Sequence, residues 1–312
     1  MEVEIFYIAS AVLPVHWAKN SVTMRCLVKR QLNASVLICQ GKENVMSRLA
    51  TRFAQLKSEG RKALVSYVMA GDPQPAVTVP LLHQMVAAGV DVLELGLPFS
   101  DPMADGPVIA LAAERALAGG TNTLDALNMV KEFRQKDQDT PVVLMGYLNP
   151  VEVIGYENFV KTASDAGVDG VLLVDLPPEE ASDLDAVLQQ YNMDQIFLLA
   201  PTSTDQRIQH IVKQASGFIY YVSLKGVTGA ASLDTAEAAS RIAKIKQYTD
   251  VPVGVGFGIS DAASAKAMGS VADAVIVGSA FVKLFASLPA DQATEQAVNK
   301  VKELRAALDE LV

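Results

Sequence analysis

Eight short apolar runs, separated by segments of helical period, constrain the fold of this chain more than any other feature of its 312 residues. They span residues 63–69, 92–95, 142–147, 170–174, 195–199, 218–223, 253–256 and 274–277. None alternates strictly between apolar and polar side chains, the pattern of strands buried on both faces. Helical spacing of apolar residues marks 77–88, 124–135, 179–190, 205–215, 235–248 and 261–268, and a last helical stretch, 293–311, closes the chain. Eight β-then-α units in about 250 residues predict an α/β fold of the (β/α)8 kind, a TIM barrel, as a single domain. A doubly wound sheet would use fewer strands and place GxGxxG after the first. Here the first strand runs instead into Met69-Ala70-Gly71-Asp72-Pro73. No linker or shift in composition divides residues 46–312.

The first 45 residues read differently. They hold both cysteines, Cys26 and Cys39, the one tryptophan, Trp17, and five basic against three acidic residues. No helix or strand period persists through them. Glu2 and Glu4 stand where a secretory signal would be basic, and a transit peptide would be richer in Arg and Ser. Residues 1–45 read as an N-terminal extension outside the fold. The segment 48–56, with Leu49, Phe53 and Leu56 on one face, reads as the first helix of the barrel domain 46–312. A net charge of −9 argues against nucleic acid and against an anionic membrane face. No run of about 18 uncharged apolar residues predicts a membrane span. Two cysteines make no disulfide framework, which suits a reducing cytoplasm.

A barrel ranks its polar residues in advance, because active sites of this fold lie at the C-terminal ends of the strands. Glu94 sits inside the second run, Val92-Leu93-Glu94-Leu95-Gly96. Leu93 and Leu95 point the opposite way, so Glu94 faces either the barrel interior or the helix layer. An unpaired carboxylate in either place is costly and its pKa rises, which is what proton transfer near neutral pH requires. The competing reading is a Glu paired with Lys or Arg for structure. Asp105 closes the restrained loop Pro98-Phe99-Ser100-Asp101-Pro102-Met103-Ala104-Asp105-Gly106-Pro107 and is either a second acid of the site or a helix cap. Asp175, in Val174-Asp175-Leu176-Pro177, is either a turn former or a strand-end support.

Glycine-bearing turns follow the sixth, seventh and eighth runs: Gly226-Val227-Thr228-Gly229, Gly256-Phe257-Gly258-Ile259-Ser260 and Gly278-Ser279. Loops after the last strands of this fold cradle phosphate, helped by a helix N-terminus, and glycine lets backbone N–H groups approach the oxygens. An acidic chain can hold a phosphate monoester this way without a basic patch.

The run from Leu93 to Pro107 closely resembles the signature of the tryptophan synthase alpha chain family. The resemblance continues at Ala70-Gly71-Asp72-Pro73, Met145-Gly146-Tyr147-Leu148-Asn149-Pro150, Asp175-Leu176-Pro177, Gly226-Val227-Thr228-Gly229, Gly256-Phe257-Gly258-Ile259-Ser260 and Gly278-Ser279-Ala280, in order, over residues 46–312. It implies a barrel lyase that cleaves indole-3-glycerol phosphate to indole and glyceraldehyde 3-phosphate. Glu94 and Asp105 match the family's catalytic acids. Tyr147 and Tyr220 match its substrate-pocket tyrosines, with Tyr67 and Leu172 as apolar wall. Gly229, Gly258, Gly278 and Ser279 would take the phosphate. Asp175, Asp101 and Thr228 would support the site and its coupling to a partner.

The resemblance implies no metal and no cofactor in this chain. Pyridoxal phosphate is expected on a partner beta chain that receives indole in an αββα heterotetramer, with loops 98–106 and 224–229 as the moving parts. Leu224-Lys225 stands where the family often has an Arg. A phosphosugar isomerase on the same barrel is disfavoured, because no strand-end Lys is available for a Schiff base and His83 and His210 fall in helical segments. A purely regulatory subunit is disfavoured by intact acids. A free-standing indole producer is open.

Overall fold

In the computed structural model of the chain, residues 46–222, 235–256 and 258–312 are described in full, and 23–31 and 34–42 by their backbone. The chain divides into two compact units, Met1–Met46 and Ser47–Val312. Within the first, β1 (Thr23–Gln31) and β2 (Ala34–Lys42) pair antiparallel. No persistent strand period in the sequence marks this hairpin. Contiguous apolar residues in Cys26-Leu27-Val28 and Val36-Leu37-Ile38-Cys39 hide the two-residue period, so pairing rather than pattern defines the strands.

The second unit opens with α1 (Arg48–Ser58), β3 (Ala63–Met69), α2 (Pro75–Ala87) and β4 (Val92–Gly96). It continues through α3 (Pro107–Ala118), α4 (Thr123–Phe133), β5 (Val142–Gly146), α5 (Leu148–Ile154), α6 (Tyr156–Ala166) and β6 (Gly170–Leu173). Then come α7 (Ser182–Gln190), β7 (Asp194–Gln195), β8 (Phe197–Leu199), α8 (Asp205–Gln214), β9 (Ile219–Val222), α9 (Thr235–Ile245) and β10 (Val253–Gly256). The chain ends with α10 (Ala262–Gly269), β11 (Ala274–Val277), α11 (Ser279–Ser287) and α12 (Ala290–Asp309).

The nine strand segments from β3 to β11 pair in parallel, in the order β7-β6-β5-β4-β3-β11-β10-β9-β8. β7 and β8 are halves of one strand interrupted at Ile196. The first half pairs with β6 and the second with β9, so the segments make a ring of eight strands. This refines the single run expected at 195–199.

Alternation along each strand divides the core into two shells. Outward residues such as Leu64, Leu93, Leu95, Leu144 and Val275 pack under the helices. Inward residues such as Val65, Val92, Val143, Ile196 and Phe218 form a second cluster together with Leu49, Phe53 and Leu56 of α1. The stripe on α1 therefore plugs the N-terminal end of the barrel. Full burial of each such side chain contributes about 1.5–3 kcal/mol. Ser47 fixes where this helix starts: its hydroxyl accepts the Ala50 N–H and donates to Asp194 at 2.7 Å.

Buried carboxylates at this same end are paired. Asp91, just before β4, meets Arg305 at 2.9 Å and accepts the Leu64 N–H. Asp169, just before β6, is held by Arg134 and Arg48, each at 2.7 Å. Removing either partner of such a pair costs about 3–5 kcal/mol, because a charge is stranded in the interior. Among the described residues no helix is long and apolar enough to cross a membrane.

Candidate active site

At the opposite end Asp72, beyond β3, is likewise paired, with Arg115 at 2.7 Å, but one buried acid is not. Glu94 lies on the inward face of β4, in step with Val92, while Leu93 and Leu95 join the helix-side core. It is 1% exposed, yet neither carboxyl oxygen has a hydrogen-bond partner among the described residues. Burial pushes its pKa up to about 8. No Lys or Arg among the described residues pairs with Glu94; Asp91 and Asp169 show what such a pair looks like in this molecule.

Two tyrosines share the inward face near Glu94. Tyr220 on β9 leans over the neighbouring strand at Gly256, where a Cβ would stand 2.3 Å from the phenol oxygen. Tyr67 on β3 leans over Gly96 in the same manner, with 2.2 Å to a Cβ there. Each glycine is needed because the aromatic side chain occupies the space its own side chain would fill. Burial raises the Tyr220 phenol well above its ordinary pKa, and the Glu94 charge adds to the effect.

Asp105 is partly buried in the loop between β4 and α3. The Tyr147 hydroxyl donates to its Oδ2 at 3.1 Å and itself accepts the Ala104 N–H at 3.0 Å. Burial raises the Asp105 pKa, against the opposing pull of the Tyr147 hydrogen bond. The cap of α3 is Gly106, so Asp105 is not a helix cap. Asp175, beyond β6, accepts the Leu148 N–H at 2.8 Å. This hydrogen bond ties the segment after β6 to the start of α5, next to Tyr147. Tyr67, Leu97, Phe99, Asp105, Tyr147 and Val174 line a small cavity here. Leu172 lies on the inward face of β6, in the same inner cluster as Tyr220.

Two of the three glycine turns fall at the same end. Gly258 follows β10 with a φ of +79°, a conformation that favours glycine. Gly278 follows the adjacent strand β11 and precedes α11, whose first residue is Ser279. Asp101 is exposed in the loop that carries Asp105. Thr228 and Gly229, the loop 224–229 and Phe257 lie outside the described residues. The sequence reading passed over Phe99, whose ring lies 5.4 Å from that of Tyr147. An aromatic residue inside a proline-restrained loop was the available signal.

A parallel barrel with an unpaired carboxyl sunk in its C-terminal mouth, a second acid above it and glycine turns on two adjacent strands is built as an acid–base enzyme for a small anionic substrate. Comparison with known proteins agrees and narrows the class. The family profile of the tryptophan synthase alpha chain matches residues 53–312. Tryptophan synthase alpha chains of Acinetobacter baumannii and Acinetobacter baylyi are 84% and 85% identical over 267 residues, each match covering 86% of this chain and 100% of the relative. The crystal structure of tryptophan synthase subunit alpha from Legionella pneumophila superposes with a TM-score of 0.79 at 41% identity, over 85% of this chain and 100% of that one. The chain belongs to the tryptophan synthase alpha chain family.

Proposed function

We propose that Glu94 and Asp105 carry out the family's reaction in this chain, the retro-aldol cleavage of indole-3-glycerol phosphate to indole and glyceraldehyde 3-phosphate. The observation that carries the assignment is the buried, unpartnered carboxyl of Glu94. With its pKa pushed up to about 8, it enters the reaction protonated at neutral pH. It gives that proton to C3 of the indole ring. Positive charge then develops on the ring, and the Asp105 carboxylate accepts a hydrogen bond from the indole N–H and offsets the charge. As the carbon–carbon bond breaks, its electron pair returns to the ring. The carboxylate of Glu94 takes the proton of the glycerol hydroxyl, which becomes the aldehyde. The protonated ring is the electron sink, so this chain's own step calls for no cofactor.

In this reading Tyr147 and Tyr220 shape the indole and glycerol sites. Backbone N–H groups at Gly258, Gly278 and Ser279, completed by Gly229, hold the phosphate at the N-terminal end of α11. Asp175 supports the site, and Asp101 and Thr228 couple it to a beta chain in an αββα assembly, where pyridoxal phosphate would reside. The reaction would take place in the cytoplasm. The deciding experiment measures indole release from indole-3-glycerol phosphate by the full chain, alone and with a beta chain. Release that the beta chain accelerates is expected. No release under either condition would overturn the assignment.

Residues 1–45 stand apart from this chemistry in our reading. The plug helix starts at Arg48 with its own cap at Ser47, and the 267-residue relatives are matched along their whole length within this chain. A chain beginning at Met46 is expected to fold, with a melting temperature within a few degrees of the full chain and the same rate of indole release. Loss of solubility or of activity on truncation would make the extension part of the enzyme.

A further inference from the structure

Tyr67 matched the family pattern only as apolar wall, and its hydroxyl has no role in the chemistry above. Its position gives it one. Tyr67 and Glu94 are ladder partners on the adjacent strands β3 and β4, and both side chains face the interior. The missing side chain of Gly96 lets the phenol lean across β4, two residues beyond Glu94 toward the mouth. There Tyr67 joins Asp105 and Tyr147 in lining the cavity. Burial raises its pKa well above the ordinary value, and the charges of Asp105 and Glu94 add to the effect. The other phenol that Glu94 affects, Tyr220, lies across the barrel on β9, over Gly256.

A neutral phenol in this place is a hydrogen-bond donor without competition from ionisation. Among the described residues the Glu94 carboxyl has no hydrogen-bond partner. A buried carboxylate needs a donor once its proton has left, because hydrogen bonds to the charged form are what make it tolerable in the interior. We propose that Tyr67 is a positioning residue for the proton transfer: its hydroxyl donates to the Glu94 carboxyl as that group gives up its proton, and holds it in place. The inference rests on Glu94 being the proton carrier.

Tyr67→Phe tests it, since phenylalanine keeps the ring over Gly96 and removes only the hydroxyl. The variant should fold with an unchanged far-ultraviolet circular dichroism spectrum. Its kcat for indole release should fall about tenfold with KM nearly unchanged, the size expected for loss of one hydrogen bond to a charged group. The second readout is the pH profile. A donor to the charged form lowers a carboxyl pKa, so its removal should shift the alkaline limb of kcat/KM upward by about half a unit or more. Wild-type kcat, or a lowered kcat with an unmoved limb, would return Tyr67 to the role of wall. Glu94→Gln run alongside separates the two ideas. If it abolishes turnover while Tyr67→Phe changes nothing, only the Tyr67 role fails. If it retains turnover, the assignment of Glu94 fails, and the role of Tyr67 fails with it.

Discussion

Glu94→Gln is expected to lower turnover about a thousandfold while leaving the barrel folded and the substrate's phosphate end bound. Glutamine has nearly the same shape but cannot carry the proton. The same substitution has a second signature, in stability. The native carboxyl holds its proton up to a pH of about 8, whereas the ordinary value is 4.5. The unfolded chain therefore binds fewer protons than the native one between these limits, and wild-type stability drains away as pH rises through the window. Each unit of pKa difference corresponds to about 1.4 kcal/mol, so the deficit above pH 8 is on the order of a few kcal/mol. Glutamine has no such deficit. Urea midpoints of variant and wild type should diverge in the variant's favour from pH 5 to pH 9. A difference constant across that range would mean that Glu94 is solvated or paired after all. The activity of the wild type should correspondingly fall as pH rises past about 8, as the starting acid is lost.

Asp105→Asn should lower kcat about a hundredfold or more, with only a small change in KM. Asparagine can still accept the Tyr147 hydroxyl through its carbonyl oxygen, so the loop keeps its anchor. What it loses is negative charge where the ring becomes positive. A loss confined to the charged transition state appears in kcat and spares ground-state binding. A normal rate would reduce Asp105 to a fastener for Tyr147. A large rise in KM with kcat preserved would mean that it binds substrate without stabilising the charge.

The strands were legible because a strand buried on both faces must be a short continuous apolar run, and 63–69, 253–256 and 274–277 coincide with β3, β10 and β11. Helices such as α1, α4 and α8 were equally plain from their apolar stripe, whereas α6 and α11 have one and were not marked. Nor was α5, which buries only Val151 and is tied to Asp175, a residue 27 places further along the chain. The break at Ile196 has no local signal either; it comes from the need to pair with different neighbours on its two sides. At the site, Glu94 was readable as an anomaly, an acid in an apolar strand. Which of two faces it took, and whether an arginine awaited it there, depended on residues far away in sequence. The hydroxyl of Tyr67 was beyond reach for the same reason, because its path is set by a glycine on the next strand.

The interrupted strand has a consequence for how the polypeptide can be divided. One short stretch, from Asp194 to Leu199, zips with its head to the earlier arc and with its tail to the later one. Neither arc owns a finished hem. A product of translation that stalled after Gln190 would leave the amides of Gly170–Leu173 bare along one border, and raw borders of this sort seek strands from other molecules. Sealing the circle belongs to the synthesis of the second arc, and until then the nascent polypeptide is sticky at a place that can be named.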